Sequence, residues 1–485
     1  MSYIGRQLNL PASTVQLTAE GAIAAGKPCI VEADGDVTEV SGTSASQSTG
    51  SAVVFEAATS EYPSVAYDAN AQKIVIVYPD GGNSSYGTAI VGTVSGSSIS
   101  FGSPVVYNSA NSNFSNVAYD ANAQKVVVVY RDAGNSYYGT AIVGTVSGTS
   151  ISFGSETVFA GNGASNYNAI AYDASAQKVV VAFQDDGNSS HGYAAVGTVS
   201  GTSISFGSAT AYETATSAYQ QIAYDANAEK VVIAYSDGGN SNKGTAVVGT
   251  VSGTSISFGT PVEVQGTGNG YGHSTLAYHD DAQKLVFAYQ DVGNSNYGTA
   301  VVGTVSGTSI SFGTEVVLES NSCDSFSAVY HTVAKEMAIA YRGTSNNAFV
   351  IVGTVSGTSI SFNTAVQFES TSADMSGAYH TSEQKIVIGY RDYGNSNYGQ
   401  ALVYQIAFDS TNLTSENFIG FAENDCTDNG LATIQLGGSV NDKQTSLTAG
   451  QTYFVQRDGT IGTTAASPSV TAGTAVSSTE ILVKG

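Results

Sequence analysis

The sequence predicts an all-β protein: a seven-bladed β-propeller of four-stranded blades, about 52 residues each, inserted into a small β-barrel or sandwich domain formed by both chain ends. Three observations predict it. A six-residue phrase recurs at near-constant spacing, each repeat resolves into four short β-branched segments, and the last repeat lacks a strand that the N-terminal part can supply. The phrase VGTVSG begins at Val91, Val143, Val196, Val248, Val302 and Val352, at intervals of 52, 53, 52, 54 and 50 residues. A diverged seventh copy carries Ala401-Leu402-Val403-Tyr404 in its place.

Within one repeat the first segment is Ser64–Tyr67, followed by the turn Asp68–Gln72. The second is the apolar run Ile74–Tyr78, and the Gly/Asn/Ser loop Asp80–Ser84 leads to the third, Thr88–Val94. After the turn Ser95–Ser97 the fourth runs from Ile99 to Tyr107. Short β-branched runs bounded by Asn, Asp, Gly and Ser read as antiparallel strands joined by hairpins. The second run is apolar at every position, so both faces of its sheet must be covered. Radial blades satisfy this; a β-solenoid is the alternative, although solenoid repeats are typically shorter.

The last repeat has strands at 375–379, 385–390 and 401–408, without a convincing fourth. Before the first complete repeat, Val40–Ser44 copies the VSGTS turn and Ser51–Phe55 copies the outer SPVVY strand. The strand at 51–55 is therefore expected to close the last blade. This gives three parts: residues 1–40, the propeller over 41–411, and residues 412–485. The flanking parts echo one another, each a strand, an Asp-Gly turn (Asp34-Gly35, Asp458-Gly459) and a second strand. Asp-Gly is a strong hairpin signal because the turn needs positive φ. Further strands are expected at 418–422, 431–436 and 480–483.

Composition narrows the partners. The chain has 485 residues, 11% of them charged, with a net charge of −23, 55 glycines, 29 tyrosines and no tryptophan. Such a chain is repelled by phosphate backbones, so no nucleic-acid partner is expected. No run of 18 apolar residues suggests membrane insertion, and the opening MSYIGRQLNLPAS lacks the apolar stretch of a secretory signal. Cys29, Cys323 and Cys426 lack metal-binding spacing; Cys29 and Cys426 could pair if the termini meet, or all three are small buried hydrophobes. No cofactor is expected.

Candidate ligand-binding residues lie in the crossover between repeats. Tyr62, Phe114, Tyr167 and Tyr219 each stand five residues before the first-strand Tyr, and Tyr271, His273 and Phe326 occupy similar places in later repeats. In a propeller this position approaches the mouth of the central channel. Aromatic faces beside Asn, Ser and Asp would suit a sugar; the same rings could instead pack between blades. The DxGNS loops at Asp80, Asp132, Asp185, Asp237, Asp291 and Asp392 fall on the same face. They read as capped turns in which Gly supplies positive φ, and one carboxylate per loop makes a poor calcium site. His279, His331 and His380 follow the first-strand Tyr and read as solvated turn residues, too far apart for a metal. Arg131, Arg342 and Arg391 start equivalent loops, but no catalytic acid–base pair is recognisable, so no catalytic residue is expected.

The C-terminal pattern NFIGFAEND…LATIQLGG…LTAGQTYFVQRDGTIGTT…STEILVKG resembles a module of tailed-phage structural proteins, including those of marine and cyanophages. LTAEGAIAAGKPCIVEADGDV is similar to its other half, and the repeats resemble those of phage and environmental bacterial surface proteins. The resemblance implies a virion surface protein such as a tail fibre, spike or adhesin for host attachment. Its implied partners are other virion proteins, a host glycan or receptor, and sister subunits in a homo-oligomer. A capsid-decorating structural protein is the alternative.

Overall fold

The computed structural model describes residues 13–264, 271–466 and 468–484. The chain divides into two compact units, Gln47–Ile406 and the joined ends Met1–Ser46 with Ala407–Gly485.

The Gln47–Ile406 unit is all-β apart from single 3-10 turns, and is made of repeated four-stranded antiparallel sheets. In the first repeat Ser64–Asp68 pairs with Lys73–Asp80, which pairs with Tyr86–Ser95, which pairs with both Ser98–Phe101 and the strand beginning at Val105. The second strand explains the packing. Its residues Ile74 to Tyr78 are all fully buried. Because side chains alternate, Val75 and Val77 join Val126 and Val128 of the next repeat in one core. Ile74, Ile76 and Tyr78 face the other way and meet Val387, Ala401 and Val403 of the last repeat. One strand thus serves two cores, and the row of sheets returns on itself. The backbone N–H of Val65 donates to Ser376 Oγ at 3.1 Å across the same junction.

Two tyrosine columns tie the repeats. Tyr119, Tyr172, Tyr224, Tyr278 and Tyr330 each accept a backbone N–H from the turn of the preceding repeat through their hydroxyl, at 3.1–3.3 Å. The tyrosines ending the second strands donate to glutamates, as in Tyr130 to Glu156 at 2.8 Å and Tyr235 to Glu213 at 3.0 Å.

The last repeat is completed from the N-terminal side: Tyr398–Gln405 pairs with Ser48–Thr49 and with Val53–Thr59. The Val40–Ser44 echo does not enter this sheet. Gly42–Ala45 pairs instead with Phe408–Thr411, both within the other unit. The alignment that places Phe55 opposite Tyr107 puts Gln47 and Ser48, not the VSGTS echo, at the inner end of the fourth strand.

Three further expectations change. Two of the crossovers are strand throughout, Val105–Asp120 and Thr210–Asp225, each spanning two repeats, whereas Thr157–Ala160 and Ser165–Asp173 stay separate. In the DxGNS loops positive φ falls on Ser84 and Ser85, or Ser136 and Tyr137, rather than on glycine. The motif glycine is favoured there by close approach, since a Cβ on Gly187 would collide with the carbonyl oxygen of Asn162 and one on Gly134 would lie 2.9 Å from the Ala110 Cβ. His279, His331 and His380 are buried, not solvated. They replace the turn-capping Asp68, Asp120, Asp173 and Asp225. Nδ1 of His331 accepts the N–H of Ala334 at 3.0 Å, as Oδ1 of Asp68 accepts that of Ala71 at 2.9 Å. The three imidazoles also lie against Tyr330, Tyr379 and Tyr67, with centroids 4.4–4.7 Å apart.

The unit of joined ends has two five-stranded sheets and a two-stranded ribbon. Thr14–Thr18, Leu431–Gln435, Phe418–Ala422, Pro28–Val31 and Val37–Glu39 form the first; Val440–Asn441, Ile481–Val483, Val470–Ala475, Thr452–Val455 and Ile461–Gly462 form the second. Ile30 and Phe421 from one share a core with Tyr453, Val455 and Ile481 from the other, so the unit is a sandwich. Gly35 and Gly459 take the expected positive φ, 94° and 75°. Cys29, Cys323 and Cys426 are free thiols, and burial holds the Cys29 thiol up at about 12.

Candidate functional site

The first strands of the second, third, fourth, sixth and seventh repeats open with a register shift: between Asn113 and Asn116, Asn166 and Ala169, Ala218 and Gln221, Asp324 and Ser327, and Ala373 and Ser376. Two residues bulge there, and the first takes left-handed backbone: Phe114 (φ 51°), Tyr167 (50°), Tyr219 (55°), Ser325 (53°) and Asp374 (52°). Tyr62 has the same conformation at 46°. His273 lies in the corresponding shift between Tyr271 and Ser274. Bulky side chains rarely adopt this region, which Asn, Asp and Gly tolerate best. Ser and Asp share it here, so the fold sets the backbone and the residue type is a separate choice. Aromatic rings on four repeats are not what backbone preference would select.

The column rims a cavity of about 720 Å³. Phe114 and Tyr167 have ring centroids 5.0 Å apart, Tyr167 and Tyr219 5.1 Å, and Tyr219 and His273 5.7 Å. These four predicted residues form a continuous arc. Tyr62 also lines the cavity and is 55% exposed, but Ser325 and Asp374 separate it from the arc's His273 end. Phe326 is the second bulged residue, the position of buried Ser115, Asn168 and Gln220; it is itself buried and stacks on Tyr341 in the core between sheets. The side chain of Tyr271 lies outside the described residues.

The opposite sector is charged. Arg391 pairs with Asp374 at 2.7 Å and Glu61 at 3.1 Å, and Arg342 pairs with Asp324. Tyr393 sits against both guanidinium groups, 4.7 Å from Arg391 and 5.9 Å from Arg342. Burial raises the Asp374 carboxyl above its ordinary range, opposed by Arg391. Sequence reasoning missed Ser325 and Asp374 because it followed aromatic residues; the five-residue offset from Tyr330 and Tyr379 would have found them.

Below the mouth the polar groups are used by the fold. Ser64 Oγ accepts the N–H of Val117, Thr275 Oγ1 that of Ala328, and Ser327 Oγ that of Gly377. Apolar Val65, Val117 and Ile170 follow. The Asp loops are capped turns: Asp132 and Asp392 each accept a glycine N–H at 2.8 Å. Among the described residues no cluster of three or more His, Cys, Asp and Glu is placed to hold a metal ion. The mouth therefore offers flat apolar faces on one side and charge-paired groups on the other.

No known protein family and no curated protein matches the sequence. Among solved structures, the BP39L lectin of Burkholderia pseudomallei aligns with a TM-score of 0.54 at 10% identity, over 72% of this chain and 99% of the lectin. An arginine-to-alanine mutant of AofleA from Arthrobotrys oligospora aligns with a TM-score of 0.42 at 9% identity, over 83% of this chain and 94% of that one. The likeness to BP39L is one of fold, all-β and propeller-like.

Proposed function

We propose that the protein is a non-enzymatic carbohydrate-binding protein: a seven-bladed β-propeller that holds a glycan at the mouth of its central channel. The observation that carries this is the arc Phe114–Tyr167–Tyr219–His273, whose first three rings are held on left-handed backbone where smaller polar residues fit with less strain. Sugars present apolar ring faces for stacking and hydroxyl rims for hydrogen bonding, and Asn113, Asn116 and Gln221 stand beside the arc. The fold it shares with a lectin agrees with this reading. Seven blades are supported by the repeat spacing and by Val387 packing on Ile74 and Ile76, a meeting of ends that a solenoid would not make. A non-enzymatic role is supported by Glu61 and Asp374, the two carboxylates at the mouth, sharing Arg391 rather than facing each other across a free space. Display on a virion, for host attachment, rests on the resemblance of the terminal module alone; copy number per purified particle would separate a tail position from capsid decoration.

A glycan array tests the site. Tyr167→Ala and Tyr219→Ala should each weaken binding about tenfold, the loss of ~1.4 kcal/mol of ring contact. No glycan binding, or binding indifferent to both substitutions, contradicts the proposal.

A further inference from the structure

Arg131, Arg342 and Arg391 occupy one column, at the end of the second strand. Two are neutralised: Arg342 lies opposite Asp324 in the sheet and pairs with it, and Arg391 pairs with Asp374 and Glu61. Arg131 lies opposite Asn113, a neutral residue, and forms no ion pair with any described residue. Its neighbours hold it in place without neutralising it. Nη1 donates to Asn166 Oδ1 at 2.6 Å, and the guanidinium stands 4.9 Å from the Phe114 ring and 5.4 Å from Tyr137. The nearby Asp186 carboxylate is engaged by Asn166 Nδ2 at 2.8 Å and by the Ser190 hydroxyl at 3.0 Å. Nε and Nη2 of Arg131 make no hydrogen bond to a described residue. Arg131 lines the cavity at the Phe114 end of the aromatic arc.

A half-buried guanidinium, oriented on one edge and open on the other, is a fork for a planar carboxylate. We propose that the glycan bound at this mouth is acidic, a sugar whose ring stacks on the arc and whose carboxylate is held by Arg131. The inference rests on the carbohydrate reading of the site. The net charge of −23 opposes an anion at long range, but the Debye length is about 8 Å at physiological salt. A contact on Arg131 is screened much less than the distant acidic residues are.

The test uses the full chain at physiological salt on an array that pairs neutral hexose oligosaccharides with counterparts carboxylated at the primary alcohol. The wild type should prefer the carboxylated member about tenfold, the scale of one charge-assisted pair. In Arg131→Gln the ratio should fall to about one, with folding checked by thermal melting. Arg131→Lys keeps the charge but loses the fork, and should retain only part of the preference; it decides the matter if Arg131→Gln does not fold. Tyr167→Ala should weaken both members alike. Equal or better binding of the neutral members, or a preference unchanged by Arg131→Gln and Arg131→Lys, overturns the inference and leaves the carbohydrate reading standing. Binding of neither member by the wild type overturns both.

Discussion

The turn column shows how one position solves the same problem with two chemistries. Asp68, Asp120, Asp173 and Asp225 cap a backbone N–H with a carboxylate, while His279, His331 and His380 do so with a neutral imidazole nitrogen. Burial lowers the affinity of all three histidines for a proton. Protonating Nδ1 would set one donor against another. The folded-state value therefore lies below the unfolded value of about 6.5. Stability from these residues is present above that pH and is lost as pH falls below it toward the folded value. The melting temperature should drop by roughly a few degrees between pH 7 and 5. His331→Asp, which installs the residue of the first four repeats, should flatten that slope. An unchanged slope in this variant would refute the capping account. The sequence showed the histidines to be equivalent but not that they are buried, because a residue after a strand-ending Tyr and before a polar turn resembles a solvated position. Only the neighbouring repeat covers it.

At the scale of the strand, the last repeat exchanges partners. Elsewhere a third-strand glycine faces a fourth-strand phenylalanine, as Gly92 faces Phe101, and a Cβ on Gly92 would come within 3.1 Å of that ring. In the last repeat Tyr404 faces Thr49 at the matching register. The ring has moved to the other strand, and the fully buried Tyr404 fills the space. Tyr404→Gly should cost about 3–5 kcal/mol. Thr49→Phe alone should overpack and destabilise. Together they should restore more than half of the loss in a denaturant-unfolding cycle; simple additivity would contradict the exchange. This divergence was legible as Ala-Leu-Val-Tyr replacing the usual phrase, but its compensation was not, because Thr49 lies 355 positions away. The tyrosine–glutamate pairs were hidden differently: the glutamates stand 22 residues from Tyr78 and Tyr235 but 26 from Tyr130 and Tyr289, so no single spacing marks them.

Across the whole molecule the repeat dictates nearly everything about assembly and little about contact. The all-apolar second strands announced sheets covered on both faces, and the strand missing from the last repeat announced closure. The mouth was legible in part. A five-residue offset located Tyr62, Phe114, Tyr167 and Tyr219, whereas the bulge, two residues long, blurred which neighbour carries the arc: Phe326, one position on, lines the cavity but is buried against Tyr341. The repeats are nearly uniform, yet the aromatic arc belongs to one side of a single shared mouth. A ligand read by the uniform DxGNS loops would bind once per repeat; a ligand read by the arc binds once per chain. Isothermal titration with a glycan identified on the array separates these most directly. The account predicts about one site per chain, lost in the Tyr167→Ala, Tyr219→Ala double variant. Six or seven equivalent sites that survive those substitutions would contradict it.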